Sequence, residues 1–296
     1  MGEAKLKWSG KSHGGYWGNL TFAVLLRAGM LPAYLLLFFV AAFFVVFRRE
    51  ACRGGMLYLK KRFPNSKFYL FKAYKLVLSF GVCILDKVAF FSGRGKISCE
   101  DACEPTIRAL LSEGKGLILA TAHVGGWQIA GAQVSKYGLP VYAMGTDKED
   151  EKVSKAVERG RTLPKLEIQG DSSDATGVLA AYSTLKKGGI VALHFDRFAG
   201  GRSAQVGFLG NSAKVPVAAY VLAAKSGAPI LNIVCVRKKL FKYSISSFEP
   251  VRIPALCGSE LENICAREAQ KAMDKLSGIL EKYPYQWFNF YDFWGE

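Results

Sequence analysis

The longest uncharged apolar run in the chain, Leu31 to Phe47 (LPAYLLLFFVAAFFVVF), covers 17 residues and extends backwards no further than Arg27. A bilayer span usually needs about 20 apolar residues, so this run sits at the short end and predicts a membrane-anchoring helix. The cations after it (Arg48, Arg49, Arg53, Lys60, Lys61, Arg62) outweigh those before it (Lys5, Lys7, Lys11, Arg27). That bias places the body of the protein on the cytoplasmic face of the membrane. The run is too long and too late for a cleaved leader. The competing reading is a buried hairpin of a soluble domain.

From about residue 56 to 92, YLKKRF and KFYLFKAYKLVLSFGVCIL repeat apolar and aromatic residues at helical spacing with lysines between them. This predicts an amphipathic helix, lying on a membrane surface or presenting an ordinary core face. Beyond residue 100 the texture changes. Short β-rich runs (GLILATAH, LPVYAMG, KLEIQG, GGIVALHFD, APILNIVCVRK, KYSISSF) alternate with helix-length segments (EPTIRALLSEG, KVSKAVERG, ATGVLAAYSTLKKG, PVAAYVLAAKSG). Such alternation predicts βαβ units and an α/β fold: a mostly parallel mixed sheet flanked by helices. A C-terminal helix, ENICAREAQKAMDKLSGILEKYP, closes it. The expected division is an anchor at 1–55 and one catalytic domain at 56–296.

With 296 residues, half of them hydrophobic, the chain can bury a sizeable core. Forty Lys+Arg against 24 Asp+Glu leave a net charge of +16, which suits an anionic membrane face, an acidic carrier or a nucleic acid; no sequence-specific nucleic-acid binding is expected. Seven cysteines form no C-x-x-C pair, so neither a zinc site nor a disulfide framework is indicated. Cys99 and Cys103 would share a face if helical, and read as two small buried thiols.

Open α/β sheets place their chemistry beyond the carboxyl ends of the strands. Two polar sequences stand there. T-A-H-V-G-G-W-Q at 121–128 carries His123 straight out of an apolar strand, with Gly125 and Gly126 permitting close backbone approach by substrate. H-F-D-R at 194–197 follows a second strand, with Gly200, Gly201 and Arg202 beyond. Side by side, these ends bring Asp196 and Arg197 or Arg202 to His123: a base, an orienting anion and a phosphate clamp. A solvated histidine and a local Asp–Arg pair are the ordinary alternatives. Arg159 and Arg161, ahead of KLEIQG, are further candidates for phosphate contact. No G-x-S-x-G elbow and no phosphate-binding glycine loop is present. With only three histidines, no metal site is expected. A base acting without a protein nucleophile is the simplest chemistry left.

Four blocks resemble the lysophospholipid acyltransferase superfamily, in the branch of the lipid A lauroyl and myristoyl acyltransferases. They are W-S-G-K-S-H-G-G at 8–15 followed by L-P-A-Y at 31–34, the strand-His-loop-helix at 117–130, the stretch from Asp196-Arg197 through V-G-F-L-G-N-S-A-K-V-P to Pro229, and Y-P-Y-Q-W-F-N-F-Y-D-F-W at 283–294. The resemblance implies an acyltransferase domain at 56–296 that moves a fatty acyl group from acyl carrier protein or acyl-CoA to a hydroxyl or amine of a lipid or glycolipid. It implies His123 as general base, no cofactor beyond the thioester, and a place at the bacterial inner membrane. One position departs from the family's H-x-x-x-x-D/E motif: Gln128 stands where the carboxylate belongs. Either another acid supplies the charge, with Asp196 the best candidate, or the protein is a weakly active or silent lipid-binding or scaffold member. The aromatic run at 287–294 lines an acyl groove or straps the core.

Overall fold

The computed structural model describes residues 20–21, 24, 27–93, 96–145, 168–170, 174–198 and 200–295. The apolar run forms α1, Met30–Phe47, and its length and composition are those of a helix able to cross a membrane. The expected amphipathic stretch is two helices, α2 (Arg49–Arg62) and α3 (Tyr69–Phe91). Pro64, which cannot donate within a helix, lies in the turn between them. Residue 55, the expected domain boundary, falls inside α2. A Cβ on Gly54 would lie 2.3 Å from the backbone of Phe290, so α2 presses against the C-terminal strap.

The remaining elements are β1 (Ser98–Asp101), α4 (Glu104–Leu111), β2 (Leu117–Gly125), α5 (Trp127–Gln133), β3 (Val141–Met144), β4 (Ile168–Gly170), α6 (Ala175–Lys186), β5 (Ile190–His194), β6 (Ser203–Phe208), β7 (Asn211–Pro216), α7 (Ala218–Ser226), β8 (Ile230–Lys239), β9 (Lys242–Ser247) and α8 (Gly258–Lys282). Among the described residues the main sheet has seven strands in the order β1-β9-β8-β2-β5-β3-β4. The run β8-β2-β5-β3-β4 is parallel. β9 turns back on β8 through a tight hairpin, and β1 pairs parallel to β9, so these two run the other way. The expected mixed, mostly parallel α/β sheet is what the chain forms. Cys99 lies in β1 and Cys103 at the N-cap of α4, not on one helix.

β2 is central because Leu117, Ile118, Leu119 and Ala120 are all buried, a continuous apolar run that only a strand covered on both faces can carry. α6, α7 and α8 pack in sequence with one another, and α1, α2, α3 and α5 form a second group. β6 and β7 stand apart as a hairpin, clasped to α8 by the Gln270 amide, which bonds both Gly207 N and Gly207 O. One buried polar node joins α1 to the sheet: Asp86 of α3 accepts from Tyr34 of α1 and, at 2.5 Å, from Tyr243 of β9. Burial raises the Asp86 carboxyl above its ordinary range.

Candidate active site

Sheet register sets the site. Thr121 of β2 pairs with His194 of β5 in parallel, so the residues two positions further on, His123 and Asp196, leave the sheet side by side. His123 Nδ1 lies 2.8 Å from Asp196 Oδ1, and the His123 backbone N–H donates to Asp196 Oδ2 at 2.8 Å. The carboxylate therefore grips the histidine by both ring and backbone. With Nδ1 facing a carboxylate, the ring proton belongs on Nδ1 and the lone pair on Nε2, the tautomer that a base needs.

The last segment of the chain completes the grip. Gln286 O accepts from Gly125 N, and Phe288 N donates to His123 O at 2.8 Å, so the strap runs antiparallel beside the end of β2. This register points Trp287 Nε1 at Asp196 Oδ2 (2.8 Å) and Asn289 Nδ2 at Asp196 O (3.0 Å). Asp196 is fully buried. Burial alone would raise its pKa, but the neighbouring His123 charge and hydrogen bond, the His194 charge and the Trp287 N–H outweigh burial and hold the carboxyl down at about 2.

The imidazole is enclosed. His194 stacks on His123 with ring centroids 4.0 Å apart, and Trp127 flanks it at 5.4 Å. His123 is only 3% exposed, and it sits near the end of the buried strand β2. Water is thereby thinned around the pair, which strengthens the attraction between them.

Gln128, at the motif carboxylate position, lies on the first turn of α5, and among the described residues it forms no hydrogen bond to His123. The acid at the imidazole is Asp196. Gly125 and Gly126 do not offer their amides to a substrate: Gly125 N is taken by Gln286 O and Gly126 N by Cys235 O. Their lack of side chains serves packing, since a Cβ on Gly125 would meet Cys235 O at 2.2 Å. Arg197 leans on the strap, donating through Nε to Asn289 Oδ1 at 3.1 Å and lying over the Tyr291 ring. Arg202 is exposed at the approach to β6, away from these bonds. Arg159 and Arg161 lie outside the described residues.

His194, Trp287 and Asn289 are the members that the sequence did not single out for the site. For Asn289 a signal existed, a polar residue inside an aromatic run. Trp287 and Phe288 are almost wholly buried, so the run is a core strap and not an open groove.

Among the described residues, His123, His194 and Asp196 bring possible metal-binding atoms within 4.8 Å of one another. Both Asp196 oxygens already accept hydrogen bonds, and Nδ1 of His123 faces one of them. Asp196 and Nδ1 of His123 are thus engaged with one another.

Residues 103–295, about two thirds of the chain, match the family model described as bacterial lipid A biosynthesis acyltransferase. The chain belongs to that family. As a lipid A biosynthesis acyltransferase family member it is an acyltransferase, with a lipid acceptor and an acyl thioester donor. The matched region holds His123, Asp196 and the Trp287–Asn289 strap together. No curated protein matches the chain.

Proposed function

We propose that the protein transfers a fatty acyl group from acyl carrier protein or acyl-CoA to a hydroxyl, or an amine, of a membrane lipid or glycolipid, at the cytoplasmic face of a bacterial inner membrane. The observation that carries this reading is the 2.8 Å contact between His123 Nδ1 and Asp196 Oδ1 inside a water-poor enclosure. His123 Nε2 takes the proton of the acceptor hydroxyl as its oxygen attacks the thioester carbonyl. The tetrahedral intermediate collapses, the C–S bond breaks, and the departing sulfur takes the proton back from the imidazolium, leaving an ester and a free thiol. Asp196 keeps the ring in its tautomer and offsets the imidazolium charge. No protein nucleophile and no cofactor enters the scheme.

Arg202, an exposed residue, is assigned to a phosphate of donor or acceptor, since Arg197 leans on the strap. The silent lipid-binding alternative rested on the missing charge at Gln128, and Asp196 weighs against it. The test is turnover of purified protein in detergent with acyl carrier protein and CoA thioesters and a total bacterial lipid extract. Wild type is expected to form acylated lipid on the order of 10³-fold faster than His123→Ala; equal rates on every donor would refute the enzyme.

A further inference from the structure

The outer face of α1 and the start of α3 take no part in the proposed reaction. At 1.5 Å per residue an 18-residue helix is about 27 Å long, close to the thickness of a hydrocarbon core. Composition alone therefore suggests a span, and a span needs its ends on opposite sides of the bilayer.

Both ends of α1 are fixed to the same folded body. Towards its start, Tyr34 bonds Asp86 and stacks on Phe241 of the β8–β9 turn at 5.7 Å. Upstream, Thr21 is buried and Val24 packs on the cluster that holds Val88 and Phe91. At its far end, Val45 joins the main core. Arg48 alone separates α1 from α2, whose Tyr58 bonds Pro284 O at 2.9 Å and packs on Trp287. Along its length α1 lies antiparallel to α3, with Tyr74 reaching Phe38 O and Asp86 reaching Tyr34. Driving α1 through a bilayer would carry Asp86, Lys87 and strand β9 into hydrocarbon.

Eleven large apolar side chains are exposed among the described residues, and nine of them lie here: six on α1, with Phe39 and Phe47 the barest, and Phe68, Leu70 and Phe71 at the start of α3. Cations rim this face. Arg48, Arg49 and Arg53 are exposed just beyond α1, and Lys75 lies over the Phe71 ring at 4.6 Å.

We propose that α1 and the first turn of α3 form a monotopic anchor: they sink side-on into one leaflet, and α1 does not cross the bilayer. Phe39, Phe47 and Phe71 lie among acyl chains while the arginines and lysines meet anionic headgroups. A second copy of the chain is a poorer occupant, because a self-complementary contact would set the same cations against one another. The proposal rests on the membrane association proposed above, and the test separates the two.

Full-length protein is floated with vesicles of phosphatidylcholine alone and of equal parts phosphatidylcholine and phosphatidylglycerol. Recovery with the anionic vesicles is expected to be on the order of tenfold higher, and Phe39→Glu with Phe71→Glu is expected to lose most of it at unchanged circular dichroism. Failure to float with either vesicle, or a soluble dimer, overturns the membrane association itself. Topology is read with an impermeant maleimide on spheroplasts and inverted inner-membrane vesicles, comparing Ala28→Cys in a Cys257→Ser background, just ahead of α1, with the exposed native Cys257. Labelling of both from the same side supports the monotopic anchor, and labelling from opposite sides establishes a span and overturns it.

Discussion

Trp287 Nε1 donates to Asp196 Oδ2 at 2.8 Å, the same oxygen that accepts the backbone N–H of His123. An indole thus stands between a carboxylate and the loss of its charge. Trp287→Phe retains the ring packing and removes the donor. A hydrogen bond to a charged group contributes about 1.5–3 kcal/mol, so kcat is expected to fall roughly tenfold or more with KM for the thioester little changed. A fall confined to KM would point to the ring as a substrate contact.

Asp196→Asn and Gln128→Glu are expected to behave oppositely. Removing the charge at Asp196 should lower kcat on the order of 10²–10⁴, the scale on which orienting carboxylates act. Restoring the motif acid at Gln128 should change the rate by no more than about threefold, because its side chain makes no bond to His123. If Gln128→Glu raised kcat strongly while Asp196→Asn were harmless, the orienting role would belong to residue 128 and not to Asp196.

Asp196 also links stability to pH. Its carboxyl falls from an ordinary 3.8 to about 2 on folding. Such a group stabilises the fold fully above the unfolded value and loses that contribution as pH drops through the folded one. The contribution is about 2 kcal/mol, lost between roughly pH 4 and pH 2. Thermal melts of wild type and Asp196→Asn across that window should converge as the pH falls; parallel curves would assign the acid loss to other groups.

Two glycine substitutions separate backbone strain from collision. A Cβ added at Gly125 (φ 54) would sit 2.2 Å from Cys235 O, whereas one added at Gly138 (φ 66) would meet nothing within 4 Å. Gly138→Ala should cost only the left-handed penalty, about 1 kcal/mol. Gly125→Ala should lose at least about 3 kcal/mol and most activity, since β8 must move away from β2. Comparable melting temperatures for the two variants would show that the strand end can relax.

Much of this was visible in the chain because it depends on short-range pattern. GLILA is buried throughout and IVAL at every position but Ala192, so their apolar continuity marked adjacent parallel strands, and His123 and Asp196 followed directly from where those strands stop. The β6–β7 hairpin was not anticipated as strands: its buried positions include Ala204 and Ala213, too small to make the two-residue alternation stand out. β1 is four residues of mostly polar character. The longer-range partners were harder still. Trp287 lies 91 residues from Asp196, and an aromatic run carries no phase that tells which indole turns inward.

His123 and Asp196 both sit two residues beyond the paired positions Thr121 and His194, so strand alignment acts as the ruler of the site. The pairing of His123 with an acid is independent of residue 128 because that acid is measured from β5 and not from α5. A single inserted residue between Leu117 and His123, or between Ile190 and Asp196, would shift one partner by a pleat and turn it to the opposite side of the sheet. Through evolution this protein should tolerate exchange of letters around its histidine far better than any change in the spacing that leads up to it.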